Sequence, residues 1–226
     1  MPAGILEGIR FSPSNDKESH GMSGTFWKTL GILGDKSVAH GISPSPFLVR
    51  FNFYEMHQSG MIAAQPDAII AAVCALDMRA DRVADALLTL RELPAKLIRI
   101  ISNRPTPALA PFGFDAFTLL RRTDNEVSLG LAGRFWRPDL DPCHVADAAA
   151  FMALDDPRVA RLVLRFEVIE QPDGLRTLRT ETFVSCPNTR TRWLFTPYWL
   201  VIRLASGWIR RRTLATIQRQ FQVQDR

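Results

Sequence analysis

Residues Pro187 to Arg226 read PNTRTRWLFTPYWLVIRLASGWIRRRTLATIQRQFQVQDR, an apolar, aromatic-rich run followed by a dense set of arginines. The stretch predicts one long terminal helix. Its eight arginines face a single acid, Asp225, so it carries +7 while the whole chain carries +5 and everything before it is slightly acidic. Asn188 or Thr189 can cap the helix, and Pro197 either kinks it or begins its main part with Thr196 as cap. Leu194, Tyr198, Val201, Ile202, Ala205 and Ile209 recur at three- and four-residue spacing, which predicts the buried face, with Trp199, Arg203, Ser206 and Arg210 on another. Burial contributes roughly 1.5–3 kcal/mol for each large apolar side chain, so the helix is expected to hold much of the domain's stability.

The two runs before it, RVARLVLRFEVIE from Arg158 and LRTLRTETFVS from Leu175, alternate apolar and polar residues. They flank Pro172-Asp173-Gly174, a turn signal, and so predict an antiparallel hairpin. Charge sets its register: Arg165 opposite Glu181 and Glu167 opposite Arg179 put both ion pairs on one polar face, with Leu164 opposite Thr182 and Phe166 opposite Thr180 on the other. The inward face is then Leu162, Leu164, Phe166, Val168, Leu178, Thr180, Thr182 and Val184. FDAFTLLRR from Phe114 and EVSLGLAGRFW from Glu126, separated by Thr123-Asp124-Asn125, extend the meander.

Further toward the N-terminus, FLVRFNFYEMH predicts a strand from Phe47, with Phe47, Val49, Phe51 and Phe53 on one side. Pro66 at a first helical position and Asp67 beside it predict a short helix to about Leu76. Val83, Leu87 and Leu90 predict a second over Arg79 to Leu93. The segment from Arg137 to Asp156 is expected to be a short helix or a loop over the sheet. Residues 1–46, rich in Gly, Ser, Pro and charge, are read as a partly disordered N-terminal extension with at most one short helix around Phe26 to Leu33, and 47–226 as the folded domain.

Composition narrows the function classes. With 226 residues, 46% of them hydrophobic, one domain with a single core is expected. The pI of about 9.6 comes from one helix, and the strands carry no interleaving of Lys or Arg with aromatics, so no nucleic-acid partner is expected. Cys74, Cys143 and Cys186 are odd in number and unpaired in spacing, which fits a reducing, cytoplasmic compartment. No signal peptide is expected, because Glu7 and Arg10 interrupt the candidate apolar run. Pro197, Arg203 and Gly207 argue against a membrane span over Trp193 to Ile209. In GILGDKS, Asp35 stands where a phosphate loop needs glycine directly before lysine.

The order strand, two helices, antiparallel meander, long terminal helix resembles the START-like (SRPBCC) helix-grip superfamily, which includes birch-pollen-type allergens, lipid-transfer domains and polyketide cyclases. GRFWRP at Gly133 to Pro138, TET at Thr180 to Thr182, and YWLVIRLASGWIRRRTLATIQR from Tyr198 to Arg219 are similar to a bacterial branch of it. The resemblance covers about Phe47 to Gln222. It implies an α+β fold in which a curved antiparallel sheet wraps the terminal helix and leaves an apolar cavity between them. Such a cavity would be lined by Leu131, Phe135, Phe166, Thr180 and Thr182 from the sheet and by Tyr198 and Ile202 from the helix. The expected partner is a small, largely hydrophobic molecule, with no cofactor.

Two other readings stand beside this one. A polyketide cyclase or dehydratase would use the same cavity, with Arg134, Glu181 or Tyr198 as polar participants. A peripheral membrane or lipid-transfer protein would set Trp208 and Arg210 to Arg212 against anionic headgroups. Alternation places Arg134 and Trp136 on the outer face, and a bulge would turn Arg134 inward. Glu181 is expected in an exposed pair with Arg165; a one-residue slip in register would make it a general base. His57 and His144 are the histidines near structured segments, but Cys143-His144 is not ligand spacing, and no metal is expected. No G-x-S-x-G or H-E-x-x-H sequence occurs.

Overall fold

A computed structural model describes residues 31–33, 42, 44–75, 117–137 and 141–223. The chain is α+β, built on a six-stranded antiparallel sheet with a long C-terminal helix. In chain order the elements are β1 (Phe53–Gln58), α1 (Pro66–Ala75), β2 (Thr118–Arg122), β3 (Glu126–Gly133), β4 (Pro142–Cys143), α2 (Ala148–Ala153), β5 (Ala160–Glu170), β6 (Arg176–Ser185) and α3 (Thr189–Val223). The strand order is β1-β6-β5-β3-β2, with β4 paired to β3. The helix expected over Arg79 to Leu93 lies outside the described residues.

The hairpin β5–β6 adopts the register that its charges dictate: Arg165 faces Glu181, Glu167 faces Arg179, Leu164 faces Thr182 and Phe166 faces Thr180. Gly174, at φ 77°, takes the left-handed turn position that a side chain would disfavour. The face carrying Leu164, Phe166, Val168 and Leu178 meets Ile69 and Ile70 of α1 and Leu214 and Ile217 of α3 in one apolar cluster. A second cluster on the same face joins Phe53, Leu131 and Val184 to Phe195 and Trp199. Phe53 and Phe195 pack edge to face, with centroids 4.8 Å apart.

Several expectations change. The first strand begins at Phe53 rather than Phe47: the chain before it is irregular, Phe51 packs on Phe183 of the opposite sheet face, and Val49 is exposed. Ile32, within the stretch expected to be helical, instead bridges to Phe53. β3 stops at Gly133, and Arg134 to Arg137 close a turn through a hydrogen bond from the Arg137 N–H to the Arg134 carbonyl.

The outer face of the sheet is also covered. Leu33, Leu48 and Phe51 from the N-terminal side, with Val145 and Phe151 from the segment around α2, bury Val163, Ala132 and Phe183. Asp147 caps α2, its carboxylate accepting from the Ala150 N–H. Consequently the pair Arg165–Glu181, expected to be exposed, is buried at 4% and 2% exposure.

The terminal helix runs unbroken for 35 residues, about 52 Å, with Pro197 inside it. Asn188 caps it, accepting from the Thr191 N–H at 2.9 Å. Its buried face is Thr191, Phe195, Trp199, Ile209, Leu214 and Ile217, while Leu194 and Val201, expected inside, are 46% and 42% exposed. Trp199 is the reverse case, expected away from the core and found 3% exposed.

Candidate functional site

Strand alternation carries Phe53's side of β1 on to Glu55 and His57, so these two point at α3 with the apolar clusters. Their cross-strand neighbours are Thr182 and Thr180. Four polar side chains thus form a patch between the sheet and the helix. The burial is deep: Glu55 is 6% exposed, Thr180 0% and Thr182 3%. His57 Nε2 lies 3.1 Å from Glu55 Oε1, so the tautomer protonated there donates to the carboxylate.

The helix contributes two cations and a gap. Arg203 Nε is 3.9 Å from Glu55 Oε1. Arg210 is half-buried, with its Nη1 out of solvent and without a hydrogen-bond partner. Burial pushes its guanidinium down to about 10, partly offset by the Glu55 charge, and it remains a cation at neutral pH. Between them sits Gly207: a Cβ there would lie 3.1 Å from Glu55 Oε1 and 3.3 Å from His57 Nε2, so glycine lets the helix axis come close to the pair.

The patch is chemically incomplete. Glu55 Oε2, Thr180 Oγ1, Thr182 Oγ1 and Arg210 Nη1 are all buried with no hydrogen-bond partner. Native interiors pair nearly all such groups, and an orphan costs about 1–3 kcal/mol, so four on one interface mark a place where other polar atoms belong. Two acceptor-donor hydroxyls, one carboxylate acceptor and one guanidinium donor suit a group that both donates and accepts.

On the opposite sheet face a second buried polar network is centred on Glu181, and Arg179 Nε is its one atom without a hydrogen bond. Glu181 receives Arg165 Nε at 2.9 Å and the Tyr54 hydroxyl at 2.6 Å, with Arg179 Nε at 3.4 Å. Arg179 also donates to Glu167 at 2.7 Å, and the Arg165 guanidinium stacks 5.3 Å from the Phe183 ring centroid. Burial and the bond to Glu181 raise the Tyr54 phenol above its ordinary range. This network ties β1, β5 and β6 to one another beneath the outer layer.

The residues singled out from the sequence fall in different places. Leu131, Phe135, Tyr198 and Ile202 share the cluster around Phe195 and Trp199. Phe166 belongs to the other inner cluster, and Thr180 and Thr182 line the polar patch between them. Arg134 does not turn inward: it pairs with Asp141 at the turn after β3. Glu181 is on the outer face, with no register slip, which removes it as a base facing α3. Arg210, grouped by sequence with the solvent-facing Arg211 and Arg212, is half-buried and feels the Glu55 charge. Glu55 and His57 were missed as a pair, although extending the Phe53 face by two and four residues reaches both.

Among the described residues no group of three or more His, Cys, Asp and Glu side chains is placed to hold a metal ion, and no helix is long and apolar enough to cross a membrane. All three cysteines are free, and burial pushes the Cys186 thiol up to about 12. Comparison with protein-family models, with curated proteins and with solved structures gave no match.

Proposed function

We propose that this chain is a START-like helix-grip protein that binds a small, largely hydrophobic ligand between its sheet and α3. The observation that carries the reading is the set of four unpartnered buried polar atoms on Glu55, Thr180, Thr182 and Arg210. A ligand hydroxyl or amide would complete them, while its apolar body packs toward Leu131, Phe135 and Trp199, the usual division of labour in a small-molecule site. Three free cysteines are in keeping with a cytoplasmic setting.

Native mass spectrometry of the purified full chain tests this. The expected result is an apolar adduct released by organic solvent and lost in Arg210→Met. A wild-type protein that carries no adduct, and whose melting temperature is unmoved by a panel of hydroxylated aromatic and acyl compounds, refutes the reading.

The second reading, a polyketide cyclase or dehydratase-like enzyme on the same site, is favoured by one observation, the Glu55–His57 pair at 3.1 Å. There His57 would move a proton on the bound molecule while Glu55 holds the imidazole's orientation. His57→Gln separates the two readings: a carrier keeps its ligand, and an enzyme keeps binding but loses turnover.

A further inference from the structure

The side of α3 turned away from the sheet holds large apolar residues that no described element covers. Trp193 is 74% exposed, Leu194 46%, Val201 42%, Leu204 80% and Trp208 56%. At 100° per residue, Trp193, Leu204 and Trp208 fall within about 60° of one another, with Val201 beside them, so they form one stripe roughly 22 Å long. Exposed apolar residues scattered singly need no explanation, but a continuous row on one helix face does.

Charge identifies the occupant. The exposed arginines Arg190, Arg211, Arg212 and Arg219 flank the stripe at both ends, and the 35-residue helix contains no acid. A second copy docked on this stripe, parallel or antiparallel, would set arginine against arginine with no carboxylate from either helix to compensate. Nucleic acid would neutralise the arginines but offers no medium in which to bury Val201 and Leu204. An anionic bilayer surface accepts both, the apolar row at the acyl boundary and the guanidiniums among the phosphates, with tryptophan at the level it favours. Beside Trp208 a surface hollow of about 560 Å³ is lined by Arg211, Arg212, Thr216 and Arg219. Arg212 lies 5.7 Å from the Trp208 ring centroid, which holds one of these cations beside the indole.

We infer that the protein binds peripherally to anionic membranes through this outer face of α3. The inference is independent of the internal ligand, because the stripe is exposed whereas the patch, at Gly207, is turned to the sheet. Together they would let a protein carrying an apolar molecule meet the bilayer from which such a molecule is drawn.

The test is co-sedimentation of the full chain with vesicles of phosphatidylcholine alone and of phosphatidylcholine containing about one third phosphatidylglycerol, at low salt. Binding is expected only with the anionic vesicles and is expected to weaken as salt rises. Arg211→Gln with Arg212→Gln should lower the affinity by about fivefold per arginine. Leu204→Asp should abolish binding while leaving the melting temperature near the wild-type value, since the residue touches little. No sedimentation with anionic vesicles overturns the inference, as does equal sedimentation of Leu204→Asp. So does a dimer in solution that Leu204→Asp dissolves, or retention on nucleic acid in place of lipid.

Discussion

Two valine substitutions in the same strand should change stability in opposite directions. Thr182 and Thr177 both belong to β6, and both are 3% exposed. Thr177 is satisfied: its hydroxyl oxygen accepts from Gln58 Nε2 at 2.9 Å and Gln171 Nε2 at 3.2 Å. Thr182 Oγ1 has no partner. Valine nearly matches threonine in volume and suits a strand, so each exchange mainly removes a hydroxyl. At Thr177 this forfeits hydrogen bonds and should cost about 1 kcal/mol. At Thr182 it relieves a desolvated hydroxyl and should stabilise by about 1–2 kcal/mol. For a domain of this size that corresponds to a rise in melting temperature of roughly 2–8 °C. Denaturant unfolding of ligand-free protein, with the slope checked for constancy, measures both. If Thr182→Val destabilises as much as Thr177→Val, its hydroxyl is already satisfied in the free protein and the argument that the patch awaits a ligand fails.

Other outcomes follow from the two polar networks and the two helix faces. Glu181→Leu takes the hydrogen-bonded carboxylate from buried Arg165, leaving Glu167 at 3.8 Å, and should cost about 3 kcal/mol, much of it recovered by adding Arg165→Met; a double-mutant cycle in urea reads the coupling. Tyr54 is held neutral in the fold above its ordinary value of 10.0, so its contribution is full below pH 10 and is lost as pH rises beyond it, when the unfolded chain ionises first. Unfolding at pH 9 and 11 should show that loss, and Tyr54→Phe should remove it. Ile217→Ala, at a fully buried position, should cost about 2–5 kcal/mol, whereas Leu204→Gln on the outer stripe should stay within about 0.5 kcal/mol by thermal unfolding.

Local chemistry made part of this legible. The hairpin register follows from charges that must sit opposite one another, and Pro172-Asp173-Gly174 leaves the two strands little choice of turn. Pro66 with Asp67 marks the start of α1, and Asn188 the start of α3, because each satisfies or dispenses with an orphan N–H. The face of α3 was harder to read. Between Trp193 and Ile209 apolar residues occur on every side, so helical periodicity admits more than one buried face. The site was partly legible: Thr180 and Thr182 were on the predicted inward face, while Glu55 and His57 follow Phe53 on the same side of β1 but nothing local announces that α3 covers them.

What the sequence determined by itself is therefore the antiparallel meander, its inward face and the presence of a long basic terminal helix, all set by contacts between near neighbours or by period. Only the tertiary structure decided which side of α3 meets the sheet. It also decided that Leu33, Leu48 and Phe51 with Val145 and Phe151 cover the outer face and turn a surface ion pair into a buried one, and that Glu55 and His57 sit against α3 at Gly207. The physical reason is distance along the chain: Glu55 and Gly207 lie on elements from opposite ends of the fold, and the packing of α3 on β1 brings them together.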